Sequence, residues 1–160
     1  LDYAIDALNH IFDNYPEIAS TTAVYFFGQL KNQEALDRLR FSHQWLGMIN
    51  DFKIIRYLCA SAKVMLSTSL YETLGGTLVE GQAGGAIPVT FGGDGRTDVV
   101  EHLKSGYIAR YKDVEDVAQG IMWALKADIP RKELHDSVGE RFASQVIARK
   151  YIDLFSEIID

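Results

Sequence analysis

Hydrophobic residues recur at helical spacing near both ends of the chain. At the start, Leu1, Ile5, Leu8 and Phe12 are three or four residues apart, which predicts an amphipathic helix that ends near Pro16. Two further apolar faces predict helices towards the other end, the first of them capped by an aspartate. Their members are Val114, Val117, Ala118, Ile121, Met122 and Leu125 after Asp113, and then Ile147, Tyr151, Leu154, Phe155 and Ile158.

Short apolar runs alternate with polar segments between these helices. The runs predict five strands, at residues 21–28, 43–48, 63–69, 86–91 and 106–110. Helices are predicted between them, at about residues 31–42, 51–60, 75–83 and 97–103. Strands that alternate with helices indicate βαβ units. We therefore predict one α/β domain over residues 1–160, a doubly wound, Rossmann-like parallel sheet with helices on both faces.

Composition excludes several classes of protein. Apolar residues make up 48% of the 160 residues and charged residues 24%, which argues against disorder. The net charge of −6 and the lack of a basic run argue against nucleic-acid binding. No apolar stretch approaches the roughly 20 residues that span a bilayer. The single cysteine, Cys59, excludes an internal disulfide and fits a reducing compartment, so we expect a core position for it and a cytoplasmic location.

The loop after the third predicted strand carries the strongest candidate chemistry, because ligands bind at the carboxyl ends of open parallel sheets. Gly75 and Gly76 begin the following helix, where free backbone N–H groups favour a phosphate. Glu80 lies about 6–8 Å along that helix and could reach a ribose, while Glu72 would meet a sugar beyond the diphosphate. An alternative stays open, in which the acids only complement the helix dipole and the glycines only allow close packing.

This region resembles a known enzyme family in the order of its segments. The segment ETLGGTLVE (residues 72–80) has two glutamates separated by seven residues that include glycines. VMLSTSLY precedes it, and GQAGGAIPVTF, GGDGRTDVVEHLKSGYIA and DVEDVAQGIMWAL follow it in order. Together with WLGMIND upstream, these segments are similar to glycosyltransferase family 4, whose members are retaining, nucleotide-sugar-dependent enzymes with the GT-B fold.

The resemblance implies a role for each matching residue. Glu72 would contact the donor sugar as the catalytic-site carboxylate, and Glu80 would bind the ribose. Leu74, Gly75, Gly76 and Thr77 would lie at the sugar and diphosphate. Met48 and Ile49 would border the base. The resemblance also implies transfer of a hexose from a nucleotide diphosphate sugar with retained configuration, in polysaccharide biosynthesis, without a metal or another cofactor.

The resemblance also implies parts that residues 1–160 do not contain. Family members carry an Arg and a Lys around a first strand that would lie upstream of Leu1, together with the acceptor-binding N-terminal domain. We therefore expect the nucleotide sugar and that domain as partners, peripheral membrane association only through that domain, and no transferase activity from residues 1–160 alone. Asp98 stands where the family usually has Glu, which weakens any role for that acid.

Other interpretations remain open from the sequence alone. A noncatalytic scaffold or regulatory module could have the same fold, and so could a sugar-nucleotide epimerase. The four histidines show no metal-ligand spacing, so we predict no metal site. Arg96 could approach a phosphate from the glycine-containing loop after the fourth strand, but we predict an ordinary surface arginine.

Overall fold

The computed structural model describes residues 1–30 and 32–159. Strands and helices alternate between two helices at its start and three at its end. The strands are β1 (Ala23–Phe26), β2 (Ser42–Trp45), β3 (Val64–Ser67), β4 (Ile87–Phe91) and β5 (Tyr107–Ala109). The helices are α1 (Asp2–Asn14), α2 (Pro16–Thr21), α3 (Gln33–Asp37), α4 (Phe52–Ser61), α5 (Gly76–Ala83), α6 (Val114–Lys126), α7 (Arg131–Phe142) and α8 (Ser144–Ile159). A short 3₁₀ turn follows β4 at Gly95–Asp98.

Every strand pair in the described residues is parallel, as the alternation of elements predicts. The strands form two sheets, one with β1 beside β2 and the other in the order β3-β4-β5. In the second sheet, Val64 lies opposite Ile87, and Phe91 lies opposite Ala109. The parallel, Rossmann-like α/β architecture is confirmed, with the difference that β1 and β3 each pair on one side only within the described residues.

The larger of two apolar clusters packs against both sheets. All five residues of β4 are buried, because β4 lies between β3 and β5 and α6 covers one of its faces. Helix α1 packs along α6, and Phe91 meets the ring of Tyr3 edge-on at 5.5 Å. Cys59 is 1% exposed, which confirms its predicted core position. The core places the carboxyl end of β4 beside that of β3, where the candidate loop begins.

Side-chain caps fix the starts of two helices at the residues that the sequence indicates. The carboxylate of Asp51 accepts the backbone N–H of Lys53 at 2.8 Å, and that of Asp113 accepts the N–H of Asp116 at 2.9 Å. Each bond satisfies one of the donors that a helix start leaves free. The predicted cap at Asp113 is therefore confirmed, and Asp51 caps α4 at the predicted start of that helix.

The structure differs from the predicted elements in three places. Helix α2 takes Thr21 from the predicted first strand, since Pro16 suits the first turn of a helix. Helix α7 was not predicted, because it buries only Leu134 and Val138 and so has almost no apolar periodicity. The predicted helix at 97–103 is reduced to the 3₁₀ turn, after which Leu103 takes a left-handed conformation with φ of 61° that an α-helix cannot contain.

A polar network joins β5 to the start of α6. The Asp116 carboxylate accepts the Tyr107 hydroxyl at 2.7 Å and both the backbone N–H and the Nε of Arg110, at 2.8 and 3.0 Å. Burial and this hydrogen bond raise the pKa of Tyr107 to about 12. Burial opposes the charge of Asp116, but the bonds from Arg110 and Tyr107 prevail and lower its pKa. The network therefore holds an ionised carboxylate inside the fold.

The last helix lies on the outside of the domain. The apolar side chains of α8 that the sequence placed on one face are largely exposed, with Tyr151 and Phe155 each at 56%. Helix α8 contacts mainly α7. Among the described residues, no helix combines the length and the apolar character that crossing a bilayer requires.

Candidate functional site

The residue directly before helix α5 is a glycine that no other residue could replace without strain. Gly75 precedes the first turn with φ of 84° and ψ of 60°, the left-handed conformation that glycine adopts freely. Its carbonyl accepts the N–H groups of Leu78 and Val79 at 2.9 and 3.3 Å. Within the part of the chain that the structure describes, the N–H groups of Gly76 and Thr77 donate to no backbone carbonyl and to no capping side chain. These two donors are therefore available to an anion.

The two glutamates of the predicted site lie on either side of this helix start. Glu72 is half-buried in the loop before α5, and its backbone N–H donates to Asp94 at 3.0 Å. Glu80 is exposed in the second turn of α5. Glu80 shares a face of α5 with Gly84, one turn later, and a methyl group on Gly84 would lie 2.5 Å from Cβ of Cys59 on α4. Burial, and to a smaller degree the Glu80 carboxylate, raise the pKa of the Cys59 thiol.

A buried ion pair supports this loop from β4. Arg96 donates through Nε and Nη2 to the two carboxylate oxygens of Asp94, at 2.7 and 2.6 Å. The Arg96 side chain is 0% exposed and that of Asp94 is 10% exposed. Hydrogen bonding from Arg96 is the main reason that the pKa of Asp94 is lowered. The remaining arm of the guanidinium, Nη1, donates to the carbonyl of Ser69 at 2.5 Å.

The prediction that Arg96 is a surface arginine is therefore wrong. Its guanidinium can be buried because a carboxylate two residues earlier and a carbonyl 27 residues earlier accept hydrogen bonds from its N–H groups. This meets the rule that buried charges are paired. The sequence did contain one signal for this arrangement. Asp94 and Arg96 stand in a glycine-rich loop at the carboxyl end of a buried strand, where the backbone comes close to its neighbours.

The residues predicted to border the base lie in the loop after β2, which belongs to the other sheet. Met48 is 64% exposed and Ile49 half-buried, and both follow β2. The preceding turn is fixed by the carbonyl of Gly47, which accepts the N–H of Gly28 at 2.8 Å. Among the described residues, no hydrogen bond or ion pair joins this turn to the loop that carries Glu72. The structure thus unites six of the eight predicted residues on one loop and helix, namely Glu72, Leu74, Gly75, Gly76, Thr77 and Glu80.

The site is an open surface. Tyr71 is 78% exposed and Leu74 38% exposed. Two surface cavities lie elsewhere, one of about 250 Å³ between α1 and α6 and one of about 440 Å³ along α7. Over residues 1–30 and 32–159, no three His, Cys, Asp or Glu side chains come together as a group that could hold a metal ion. The polar groups that the surface itself offers are N–H groups and carboxylates.

That arrangement suits a ligand with an anionic centre and hydroxyl groups around it. The free N–H groups of Gly76 and Thr77 and the positive end of the α5 dipole favour a phosphate at the helix start. Carboxylates accept two hydrogen bonds at once and so suit vicinal hydroxyls. Glu72 offers such an acceptor in the loop before the helix start, and Glu80 offers one in the second turn of the helix.

Solved structures share this fold at low sequence identity. A Staphylococcus aureus TarM mutant in complex with fondaparinux, alpha-GlcNAc-glycerol and UDP matches with a TM-score of 0.79 and 18% identity, over 96% of this chain and 32% of TarM. Anabaena HepE in complex with UDP-glucose matches with a TM-score of 0.70 and 17% identity, over 96% of this chain and 55% of HepE. The pneumococcal O-GlcNAc transferase GtfA, in complex with UDP and GlcNAc, matches with a TM-score of 0.69 and 18% identity, over 99% of this chain and 33% of GtfA.

Sequence comparison agrees with the structural one. The chain is 26% identical over 99 residues to the poly(ribitol-phosphate) alpha-N-acetylglucosaminyltransferase of Staphylococcus aureus strain COL, which covers 59% of this chain and 20% of that enzyme. The chain thus spans a fifth of that relative and about a third to a half of the solved proteins. The family model of glycosyl transferases group 1 matches residues 2–141. Because this match includes most of its length, the chain belongs to the glycosyl transferases group 1 family.

Proposed function

We propose that this chain is the donor-binding half of a retaining, hexosyltransferase-type glycosyltransferase of family 4 with the GT-B fold. The observation that carries the proposal is the start of α5, where a left-handed Gly75 leaves two N–H groups free between Glu72 and Glu80. Its substrate is a nucleotide diphosphate sugar, and its acceptor is a glycan or another hydroxyl-bearing molecule. Polysaccharide biosynthesis in the cytoplasm is the setting that we propose for it.

The nucleotide end of the donor meets α5 from outside. The diphosphate accepts the N–H groups of Gly76 and Thr77, and the helix dipole contributes further stabilisation there. Glu80 is four residues after Gly76 and so about 6 Å further along the axis. A ribose next to the diphosphate is within its reach, and its two carboxylate oxygens match the two ribose hydroxyls. Met48 and Ile49 contribute apolar contacts to the faces of the base.

The sugar end of the donor meets the loop before α5. Glu72 accepts hydrogen bonds from sugar hydroxyls and stabilises the positive charge that develops on the sugar ring during transfer. The leaving diphosphate gains negative charge in the same step, and the start of α5 is already oriented to stabilise it. The backbone of Leu74 and Gly75 approaches the sugar and diphosphate. The proposal assigns no step to a metal or to another cofactor.

The related proteins support a uridine nucleotide as the donor. TarM and GtfA are solved with UDP, and HepE is solved with UDP-glucose. The S. aureus relative is named as an N-acetylglucosaminyltransferase. UDP-GlcNAc and UDP-glucose are therefore the first donors to test on this protein.

The assignment of Glu80 predicts the effect of its replacement on nucleotide binding. In the full-length protein, Glu80→Ala is expected to weaken UDP binding by about 1–3 kcal/mol, because the ribose hydroxyls lose their charged acceptor. Isothermal titration calorimetry with UDP measures this loss directly. The matched control is Glu140→Ala, which removes an exposed glutamate from α7 and should leave the affinity unchanged. Equal affinities for the wild type and Glu80→Ala would refute the assignment.

The proposal also predicts that this half does not transfer sugar unaided. The described residues provide donor contacts, and we propose that a facing N-terminal domain of the whole protein provides the acceptor site and the cations for the diphosphate. Residues 1–160 are therefore expected to show no turnover in a sugar-transfer assay with UDP-GlcNAc or UDP-glucose, whereas the full-length protein transfers. Measurable turnover by residues 1–160 would contradict this division of labour.

The division of the strands into two sheets supports a further part of the proposal. β1 and β3 both contribute side chains that pack on the same core, among them Val24 and Val64. Each of the two strands has one unpaired edge within the described residues. We propose that a first strand of the whole protein pairs with both edges and completes a single parallel sheet.

A further inference from the structure

We propose that the Asp94–Arg96 ion pair is a positioning device for the sugar-binding carboxylate. It holds the main chain between Ser69 and Thr73 so that Glu72 meets the donor sugar, and Arg96 itself contacts no phosphate. The inference rests on the proposed function, because it concerns how the same site orients its ligand. It concerns two residues that the donor itself does not contact.

The contacts of the pair end on the backbone of the loop that carries Glu72. Nη1 of Arg96 donates to the carbonyl of Ser69 at 2.5 Å, and Oδ2 of Asp94 accepts the N–H of Glu72 at 3.0 Å. These two bonds hold the loop at points three residues apart. They therefore fix both the path of the main chain and the residue from which the Glu72 carboxylate extends.

Close packing of the two loops adds to these bonds. A methyl group built on Gly95 would lie 1.8 Å from the carbonyl oxygen of Thr73, so the loop after β4 touches the main chain directly after Glu72. A methyl group on Gly75 would lie 3.1 Å from Cγ of Arg96. The aliphatic part of Arg96 thus packs beneath the start of α5, and the pair supports Glu72 and the helix start together.

A direct phosphate contact does not fit the surroundings of Arg96. Its side chain is 0% exposed, and Nε, Nη1 and Nη2 each donate to a protein oxygen. An anion could reach the guanidinium only by displacing Asp94 or Ser69. Arg96 is therefore a positioning residue, and the diphosphate is left to the N–H groups of α5.

Stability alone gives a poor account of such a pair. Buried ion pairs are often matched or exceeded in stability by apolar residues of similar volume, because desolvation of the two charges offsets their attraction. What an apolar replacement cannot supply here is the pair of directed hydrogen bonds to Ser69 and Glu72. The geometry of the loop is thus the property that depends on these two residues.

The test measures binding of the nucleotide and binding of the attached sugar separately. Dissociation constants of UDP and UDP-GlcNAc, or of UDP-glucose where that is the preferred donor, are measured on the full-length protein for the wild type, Asp94→Asn, Glu72→Gln and the double variant. In Asp94→Asn we expect UDP affinity within about 3-fold of the wild type. The dissociation constant of UDP divided by that of the nucleotide sugar should fall about 10-fold, because only the nucleotide sugar binds more weakly. The same fall is expected for Glu72→Gln. The double variant should lose no more than either single variant, since both changes remove one interaction.

Two further variants exclude a general loss of structure. Arg96→Lys keeps a cation beside Asp94 but cannot form the fork that also reaches Ser69, and it should lower the same ratio. Asp136→Asn removes an equal charge from an exposed pair with Lys132 on α7 and should leave the ratio unchanged. All titrations are made at least about 10 °C below the melting temperature of each variant, so that unfolding does not enter the ratio.

Each outcome either supports or overturns the inference. An unchanged ratio in both Asp94→Asn and Arg96→Lys, with UDP still bound, would overturn it and leave the donor-binding proposal standing. Equal losses for UDP and for the nucleotide sugar would also overturn it, because the pair would then support the whole domain and not Glu72. Failure of the wild type to bind any nucleotide would refute the proposed function itself, and the inference with it.

Discussion

Arg96→Ala is expected to lower the free energy of unfolding by about 3–5 kcal/mol, the range found when one partner of a buried ion pair is removed. The carboxylate of Asp94 would stay in a site where its side chain is 10% exposed, without the guanidinium that compensates its charge. The carbonyl of Ser69 would lose its donor. Urea denaturation, followed by circular dichroism and extrapolated linearly to water, measures the loss.

An exposed arginine provides the matched control for Arg96. Arg38 also pairs with carboxylates, those of Asp2 and Asp6 on α1, but its side chain is 49% exposed. Water and salt screen such pairs, so Arg38→Ala is expected to cost only about 0–1 kcal/mol. Equal losses for the two variants would show that the Asp94–Arg96 pair is no more important to the fold than a surface contact.

Acid should weaken the contribution of the Asp94–Arg96 pair. Bonding from Arg96 lowers the pKa of Asp94 in the folded protein below its ordinary value of 3.8. A lowered carboxyl pKa contributes stability that is fully present above the unfolded-state value and is lost as the pH falls through the folded-state value. The difference between the wild type and Arg96→Ala should therefore be constant near neutral pH and shrink below about pH 4.

Gly95→Ala is expected to have the second largest effect, a loss of about 3 kcal/mol, at the upper end of the range for an overpacked site. The added methyl group would lie 1.8 Å from the carbonyl oxygen of Thr73 and 2.5 Å from its carbonyl carbon. Both atoms belong to the backbone, so no side-chain rotation relieves the overlap. One of the two loops must move, and the distance between Glu72 and α5 changes with it.

Stability and donor binding should therefore fall together in Gly95→Ala. Thermal or urea unfolding measures the first, and titration of the full-length protein with a UDP-sugar measures the second. Gly139→Ala is the matched control, because a methyl group there meets no atom within 4 Å and Gly139 lies inside α7. Alanine is the better helix former by about 1 kcal/mol, so this control should be slightly more stable than the wild type. A wild-type melting curve for Gly95→Ala would contradict the close contact between the loops.

Local patterns in the sequence were enough to predict much of the fold. The apolar face of α6 and its cap, Asp113, follow from side-chain spacing and from the short polar residue before it. Both depend on neighbours within four residues, where sequence periodicity is informative. The strand of residues 86–91 was predicted for a similar reason, because an unbroken apolar run suits a strand that is buried on both faces, as β4 is.

The wrong predictions depend on contacts between distant parts of the chain. Arg96 can be buried in part because the carbonyl of Ser69, 27 residues away, accepts a hydrogen bond from Nη1, and no local pattern indicates that partner. Helix α7 packs mainly against α5, 48 or more residues earlier, and buries only Leu134 and Val138. Its sequence therefore has little apolar periodicity for a prediction to use. In the same way, the loop of Glu72 was predicted as a site, but not the Asp94 carboxylate that supports it.

The main-chain anchoring of the Glu72 loop has a consequence for how the sequence of this loop can diverge. Arg96 and Asp94 contact that loop through a carbonyl and an N–H, which almost every amino acid provides. Leu70 and Tyr71, 48% and 78% exposed, lie between the two anchoring points. Mutations at these two positions can thus accumulate without loosening the anchor. Under the proposed function, the surface beside Glu72 can therefore vary between relatives while the course of the loop is inherited unchanged.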